Sequence, residues 1–247
     1  NALATPSDVA YLNVATMLSL PFTFIANVLG IAIQPTVARD AHAGDQALRR
    51  DLLFNFKWQA LSALPLTVGL FLLAQPIVGL MFKRHEFQPA AAGLRLMSLG
   101  LVVMFLNLSS RYLLSALDRQ GRYLRAILAG LIVNIALCFV LIPSLGFLGA
   151  CGAFLGAELT IGIVCHHALG GRVQIRDMAG VAIKPLLASL GMGLLVFTFR
   201  GWGVLAAAAV GCLSYVGFLF LLRAFSDEEV RTFRSVGASF GLPGMAS

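Results

Sequence analysis

Acidic side chains are scarce here: 11 of 247 residues are Asp or Glu, against 18 Lys or Arg. All but one of the acids read as loop or terminal residues, leaving Glu158 alone inside an apolar stretch. Catalytic signatures are missing too. There is no HExxH pair, no GxSxG elbow, no Walker A loop and no aspartate cluster at metal-binding spacing, which argues against an enzyme and against ATP as an energy source. Cys138, Cys151, Cys165 and Cys212 lie in apolar stretches without CxxC spacing, so neither a disulfide framework nor a zinc site is signalled and the thiols read as packing residues. No cofactor or metal is implied. The neighbouring His166 and His167 point in different directions on a helix, a poor metal geometry.

Three further absences narrow the class. No segment shows the ten-residue alternation of an outer-membrane barrel. No basic face is interleaved with aromatics, so the net charge of +7 does not signal nucleic acid. No repeat period or low-complexity linker divides the chain, which reads as one bundle.

What the chain has in excess is apolar length. Hydrophobic residues make up 59% and charged residues 12%, and the mean hydropathy is +0.87, well beyond what one soluble core requires. A helix needs about 20 residues to cross roughly 30 Å of hydrocarbon. Windows of that kind fall at 11–36, 59–82, 93–117, 124–143, 147–169, 179–199 and 202–222. The expected fold is all-α, a polytopic membrane bundle of seven helices over 1–223 with a cytoplasmic tail at 224–247, the last two pairs of spans forming close hairpins. The polar connection 39–57 predicts an amphipathic surface helix through Leu48, Leu52, Leu53 and Phe56. In the tail, Ser226 and Glu229 have capping-box spacing for a short helix. Pro21, Pro65, Pro76 and Pro185 fall inside spans, where each removes a hydrogen bond and favours a kink.

Basic residues orient the bundle, because short cytoplasmic loops retain Lys and Arg. Arg39, Arg49, Arg50, Lys57, Arg119, Arg122, Arg125, Arg172, Arg176, Lys184, Arg223, Arg231 and Arg234 collect on one side, 13 of the 18. Lys83, Arg84, Arg95 and Arg200 take the other, and Arg111 lies within a span. The N-terminus is therefore expected outside and the C-terminus in the cytoplasm, with anionic lipid facing the basic side. The chain begins at Asn1 without a signal peptide, and seven spans with an outside start need something upstream. The expectation is the C-terminal portion of a larger transporter whose partner is a missing N-terminal lobe.

Polar groups inside the apolar windows are the candidate functional residues. An ionised carboxylate at Glu158, midway along its window, costs several kcal/mol unless paired or hydrated. It can be protonated and hydrogen-bonded, paired with a base such as Arg111, or face a wet cavity. Arg111, in NLSSRYLLSAL (107–117), either snorkels to the near interface or presents its guanidinium to a phosphate; Asn107, Ser109 and Ser110 make that region polar. Asn27, Gln34 and Asn134 read as interhelical glue. Gly149, Gly152 and Gly156 allow close approach of the fifth span to a neighbour.

The order of these features resembles a known family. VAYLNVATMLSLPFTFIANVLGIAIQPTVAR (9–39), LPLTVGLFLLAQPIVGLMFKRHEFQPAAAGLRLMSLG (64–100) and SSRYLLSALDRQGRYLRAILAGLIVNIALCFVLIPSLGFLGACGAFLGAE (109–158) are similar to the C-terminal half of bacterial polysaccharide flippases, in the multidrug/oligosaccharidyl-lipid/polysaccharide exporter superfamily. The matching features are Tyr11 to Ala15, Ile77 to Phe82, Leu113 to Tyr123, and the hairpin of Asn134, Leu141 to Pro143, Gly146, Gly149, Ala150 and Glu158. Lys83 and Arg84 depart from the usual glycine of an outer turn. The resemblance implies a two-lobed alternating-access transporter in the bacterial inner membrane. It would flip an undecaprenyl-pyrophosphate-linked oligosaccharide to the periplasmic leaflet for polysaccharide biosynthesis.

On that reading Arg111 is first for the anionic headgroup, Arg95 near the outer mouth second, and Asn107 a polar contact; Glu158 is a charge partner or coupling acid. The alternatives are a lipid II flippase of peptidoglycan synthesis and a cation-coupled drug exporter of the same superfamily, the latter disfavoured by a single acid in seven spans. An embedded enzyme or assembly subunit of a glycan pathway has no supporting motif.

Overall fold

Apolar runs broken at glycine or at short polar turns set the helix limits. A computed structural model describes residues 5–40, 44–82, 85–170 and 174–224. It contains α1 (Pro6–Asp40), α2 (Asp45–Met81), α3 (Ala90–Ala116), α4 (Gln120–Leu145), α5 (Phe147–Ala168), α6 (Ile175–Phe199) and α7 (Val204–Leu221), with single 3-10 turns at His85–Phe87 and Arg200–Trp202. All seven helices are long and apolar enough to cross a membrane, and the described residues contain no strand. The two expected hairpins turn at Gly146 and Gly203, whose φ values of 57° and 103° lie where a side chain is strained. Gly146 alone separates α4 from α5, and Gly203 closes the four-residue turn between α6 and α7.

The expected surface helix at 39–57 is corrected by the structure. Residues from Asp45 onward are the first turns of α2, which continues unbroken through Pro65 and Pro76. Leu48, Leu52 and Phe56 are buried, and the two leucines pack with Leu113, Leu114, Ala126, Cys165 and Leu169. An apolar stripe that would lie on lipid instead closes the ends of α3, α4 and α5. The same phase turns Asp51, Asn55 and Gln59 inward, at 6%, 1% and 0% exposure, so Asp51 is a second, more deeply buried acid where a loop residue was expected. The Lys83–Arg84 turn, the Gln34 side chain and the tail after Ala224 lie outside the described residues.

Consecutive helices are antiparallel. Thr67 Oγ1 donates to Ser98 O at 3.0 Å and Leu52 shares one buried cluster with Leu113, which sets the register of α2 on α3. α3 is the hub: Phe105, Leu108 and Tyr112 pack with Ala26 of α1 and Ala63 of α2, while Gly100 leaves room for the Phe154 ring of α5. α6 and α7 join through α2, where Ala188, Met192 and Val196 meet Leu61, Leu73 and Tyr215. Hydrocarbon solvent gives helices no hydrophobic reason to associate, so close packing of small residues must hold them. Gly149 shows how close: a Cβ there would lie 2.5 Å from the Leu141 backbone.

α1, α3, α5 and α7 run toward the end that carries Arg49, Arg122, Arg176, Lys184 and Arg223, the basic end. Two of these cations close helices there: Arg122 Nη1 donates to Ala168 O at 2.9 Å and Lys184 Nζ to Arg223 O at 2.8 Å, the favoured sign at a C-terminus. At the opposite end Asp8 Oδ1 accepts from Phe147 N at 3.3 Å, placing a carboxylate on the N-terminus of α5.

Candidate functional site

Asn107, Arg111 and Ser115 stand four residues apart on α3 and so share one face. The deepest of the three is tied to α5: Asn107 Nδ2 donates to both the Oε2 and the backbone oxygen of Glu158, each at 2.9 Å. Gly162 provides the space, since a Cβ there would come within 2.8 Å of Asn107 Oδ1. Glu158 is thus hydrogen-bonded to α3. No ion pair forms between Glu158 and any described residue, Arg111 included.

One turn further toward the basic end, Arg111 is exposed, its guanidinium 5.7 Å from the centre of the Tyr112 ring. It lines a pocket of about 420 Å³ with Ser115, Gln120, Tyr123 and Ile127. Gln120 opens α4, so the pocket lies beside a helix N-terminus, whose free N–H groups and dipole favour anions. Hydroxyl, amide, phenol and guanidinium donors converge there. Ser115, Gln120 and Tyr123 were not singled out from the sequence; the four-residue spacing from Asn107 through Arg111 to Ser115 was the available signal for the first.

Arg95 does not join this site. Sixteen residues separate it from Arg111, about 24 Å along α3 and roughly 160° around it. Its Nε donates to Phe71 O at 3.3 Å, with the guanidinium 6.0 Å from the Phe71 ring centre, on the side of α3 that faces α2 and α6. Asn27 and Asn134 serve local bonds: Asn27 Nδ2 donates to Thr23 O at 2.8 Å, and Asn134 Oδ1 accepts from Cys138 Sγ at 3.9 Å. All four cysteines are free thiols, and the described residues hold no cluster of three or more metal-ligating side chains.

The profile of the lipid II flippase MurJ family matches residues 1–225. The chain belongs to the MurJ family. A probable lipid II flippase MurJ of Bdellovibrio bacteriovorus is 25% identical over 237 residues, 88% of this chain and 45% of that protein. A probable multidrug resistance protein NorM of Rhizobium meliloti is 31% identical over 172 residues, 64% of this chain and 36% of that one. The chain thus spans less than half the length of these curated relatives. Among solved structures, an inward closed lipid II flippase MurJ superposes with a TM-score of 0.75 at 19% identity, covering 87% of this chain and 47% of its own. An outward-facing transporter of the MATE family, in the MOP superfamily, gives 0.62 at 16% identity over 89% and 58%. The superfamily expected from the sequence therefore holds for this multi-pass membrane protein. Within it, the matching family is the lipid II one held as an alternative, not the polysaccharide one placed first.

Proposed function

We propose that this MurJ-family chain forms part of a flippase that carries a polyprenyl-pyrophosphate-linked peptidoglycan precursor, lipid II, across the bacterial inner membrane, with its basic end in the cytoplasm. The observation that carries the reading is Arg111, exposed in a donor-lined pocket at the start of α4, with Asn107 of α3 and Glu158 of α5 continuing the polar track inward. A pyrophosphate requires cations and N–H or O–H donors in a wet cavity, whereas its prenyl tail can stay in lipid. Arg111 supplies the charge, with Ser115, Gln120 and Tyr123 as neutral donors. Asn107 orients Glu158, which acts as charge partner or coupling acid. The chain performs transport rather than catalysis.

Support against a cation exporter comes from the sign of the pocket, which presents a guanidinium and no carboxylate among its described lining residues. The test is translocation of fluorescent lipid II in proteoliposomes containing the complete parent protein. A charge-assisted hydrogen bond is worth about 1.5–3 kcal/mol, so Arg111→Ala is expected to slow flipping about ten- to a hundredfold. Unchanged flipping by that variant would remove Arg111 from the substrate path. Preference for a lipid-linked oligosaccharide over lipid II would restore the polysaccharide reading. Glu158→Gln, measured with and without a pH gradient, separates coupling from structure: loss of gradient dependence alone identifies a coupling group.

A further inference from the structure

Two arginines outside the polar track, Arg95 and Arg200, each lie beside a phenylalanine of one groove. That groove, about 370 Å³, runs between α2, α3 and α6 and is lined by Thr67, Val68, Phe71, Leu72, Leu99, Leu190, Gly193 and Phe197, nearly all apolar. Arg95 lies 6.0 Å from the centre of the Phe71 ring and Arg200 lies 4.1 Å from that of Phe197. Val68 and Gly193 touch across the groove, which sets its level. Arg95 bonds Phe71, three residues beyond Val68, and Arg200 lies seven beyond Gly193. Both cations therefore stand about 4–10 Å further along, toward the end opposite the basic one. Trp202, 75% exposed just past Arg200, marks the interface at that end, where tryptophan rings settle at headgroup depth.

We propose that this groove holds one anionic phospholipid of the leaflet at that end, its phosphate on Arg95 and Arg200 and one acyl chain along Phe71, Leu99, Leu190 and Phe197. Charge complementarity selects the occupant. Both guanidiniums lack a carboxylate partner within 4 Å among the described residues, and only the Nε of Arg95 is committed to a described residue. The apolar lining below them suits a hydrocarbon chain and offers nothing to a sugar. Stacking on phenylalanine holds each guanidinium in place with its Nη groups free for the bidentate phosphate contact arginine favours. The site faces away from the Arg111 pocket, so it stands or falls independently of the substrate proposed above.

Native mass spectrometry of the complete parent protein, with phosphatidylglycerol or phosphatidylethanolamine of matched acyl chains added in detergent, tests the assignment. The expected result is selective retention of phosphatidylglycerol that falls at least tenfold in Arg95→Gln/Arg200→Gln. Leu99→Trp, which fills the groove from an exposed position and keeps both arginines, should lose the lipid as well. Should the double variant fail to fold, Arg200→Gln alone carries the charge test, because that side chain stands exposed at the end of the bundle. Equal retention by parent and variants, or equal retention of the two phospholipids, overturns the proposal. So does displacement of phosphatidylglycerol by undecaprenyl phosphate at equal concentration, which would make the groove a polyprenyl site.

Discussion

A carboxylate among packed helices survives only with a donor, and for Glu158 that donor is one amide. Asn107 Nδ2 serves two oxygens of the same residue; the backbone oxygen keeps its helical bond within α5, so loss of the amide orphans the carboxyl. Asn107→Ala is expected to lower stability by about 1–3 kcal/mol, the penalty for an unpaired buried polar group. Asn107→Ala/Glu158→Leu should recover most of it, because removing both partners can be nearly neutral; thermal unfolding in detergent measures both. At this scale the sequence showed which groups were costly, since Glu158 and Arg111 are charges in apolar runs. It did not show who meets whom: Asn107 and Glu158 are 51 residues apart, and the Arg111 pocket exists only because the turn after α3 swings Gln120 and Tyr123 beside it.

Elements were legible where a run is apolar all round and misread where it is amphipathic. An apolar stripe on a basic helix fits a membrane surface or a protein neighbour equally well, and only the packing partners of Leu48 and Leu52 decide between them. The consequence is measurable. Leu52→Ala should cost about 2–5 kcal/mol, as for a core leucine, whereas a helix lying on lipid would lose far less on unfolding. The glycines of α5 are likewise unequal despite their shared spacing. A Cβ on Gly149 strikes the Leu141 backbone, which cannot yield, while the nearest atom to one on Gly152 is a side-chain carbon 3.6 Å away. Gly149→Ala should therefore destabilise the α4–α5 hairpin by about 1–3 kcal/mol or more, and Gly152→Ala should stay within about 0.5 kcal/mol. Comparative melting of the two variants in one detergent tests this directly.

For the whole molecule, the asymmetric distribution of Lys and Arg predicts which way the bundle faces. In a background with the four native cysteines replaced, Gly201→Cys should react with a membrane-impermeant maleimide in intact cells, and Gly121→Cys only after permeabilisation. The opposite pattern would invert the orientation and move the Arg111 pocket to the far side of the membrane. Hydropathy counted the spans because length and apolarity are local properties. How α6 and α7 attach through α2 was not legible, because it rests on small residues such as Gly193 and Ala188 that carry no periodic signal of their own.

α2 is a rod far longer than the membrane is thick. Its 37 residues span about 56 Å, against roughly 30 Å of hydrocarbon, and its first turns stand at the basic end with their leucines packed against α3, α4 and α5. Such a rod acts as a lever. A tilt of about 10° displaces a turn about 20 Å from the pivot by about 3–4 Å. A small adjustment among the membrane-embedded turns would thus be carried to the basic end, at the place where α3 hands over to α4 and the Arg111 pocket opens.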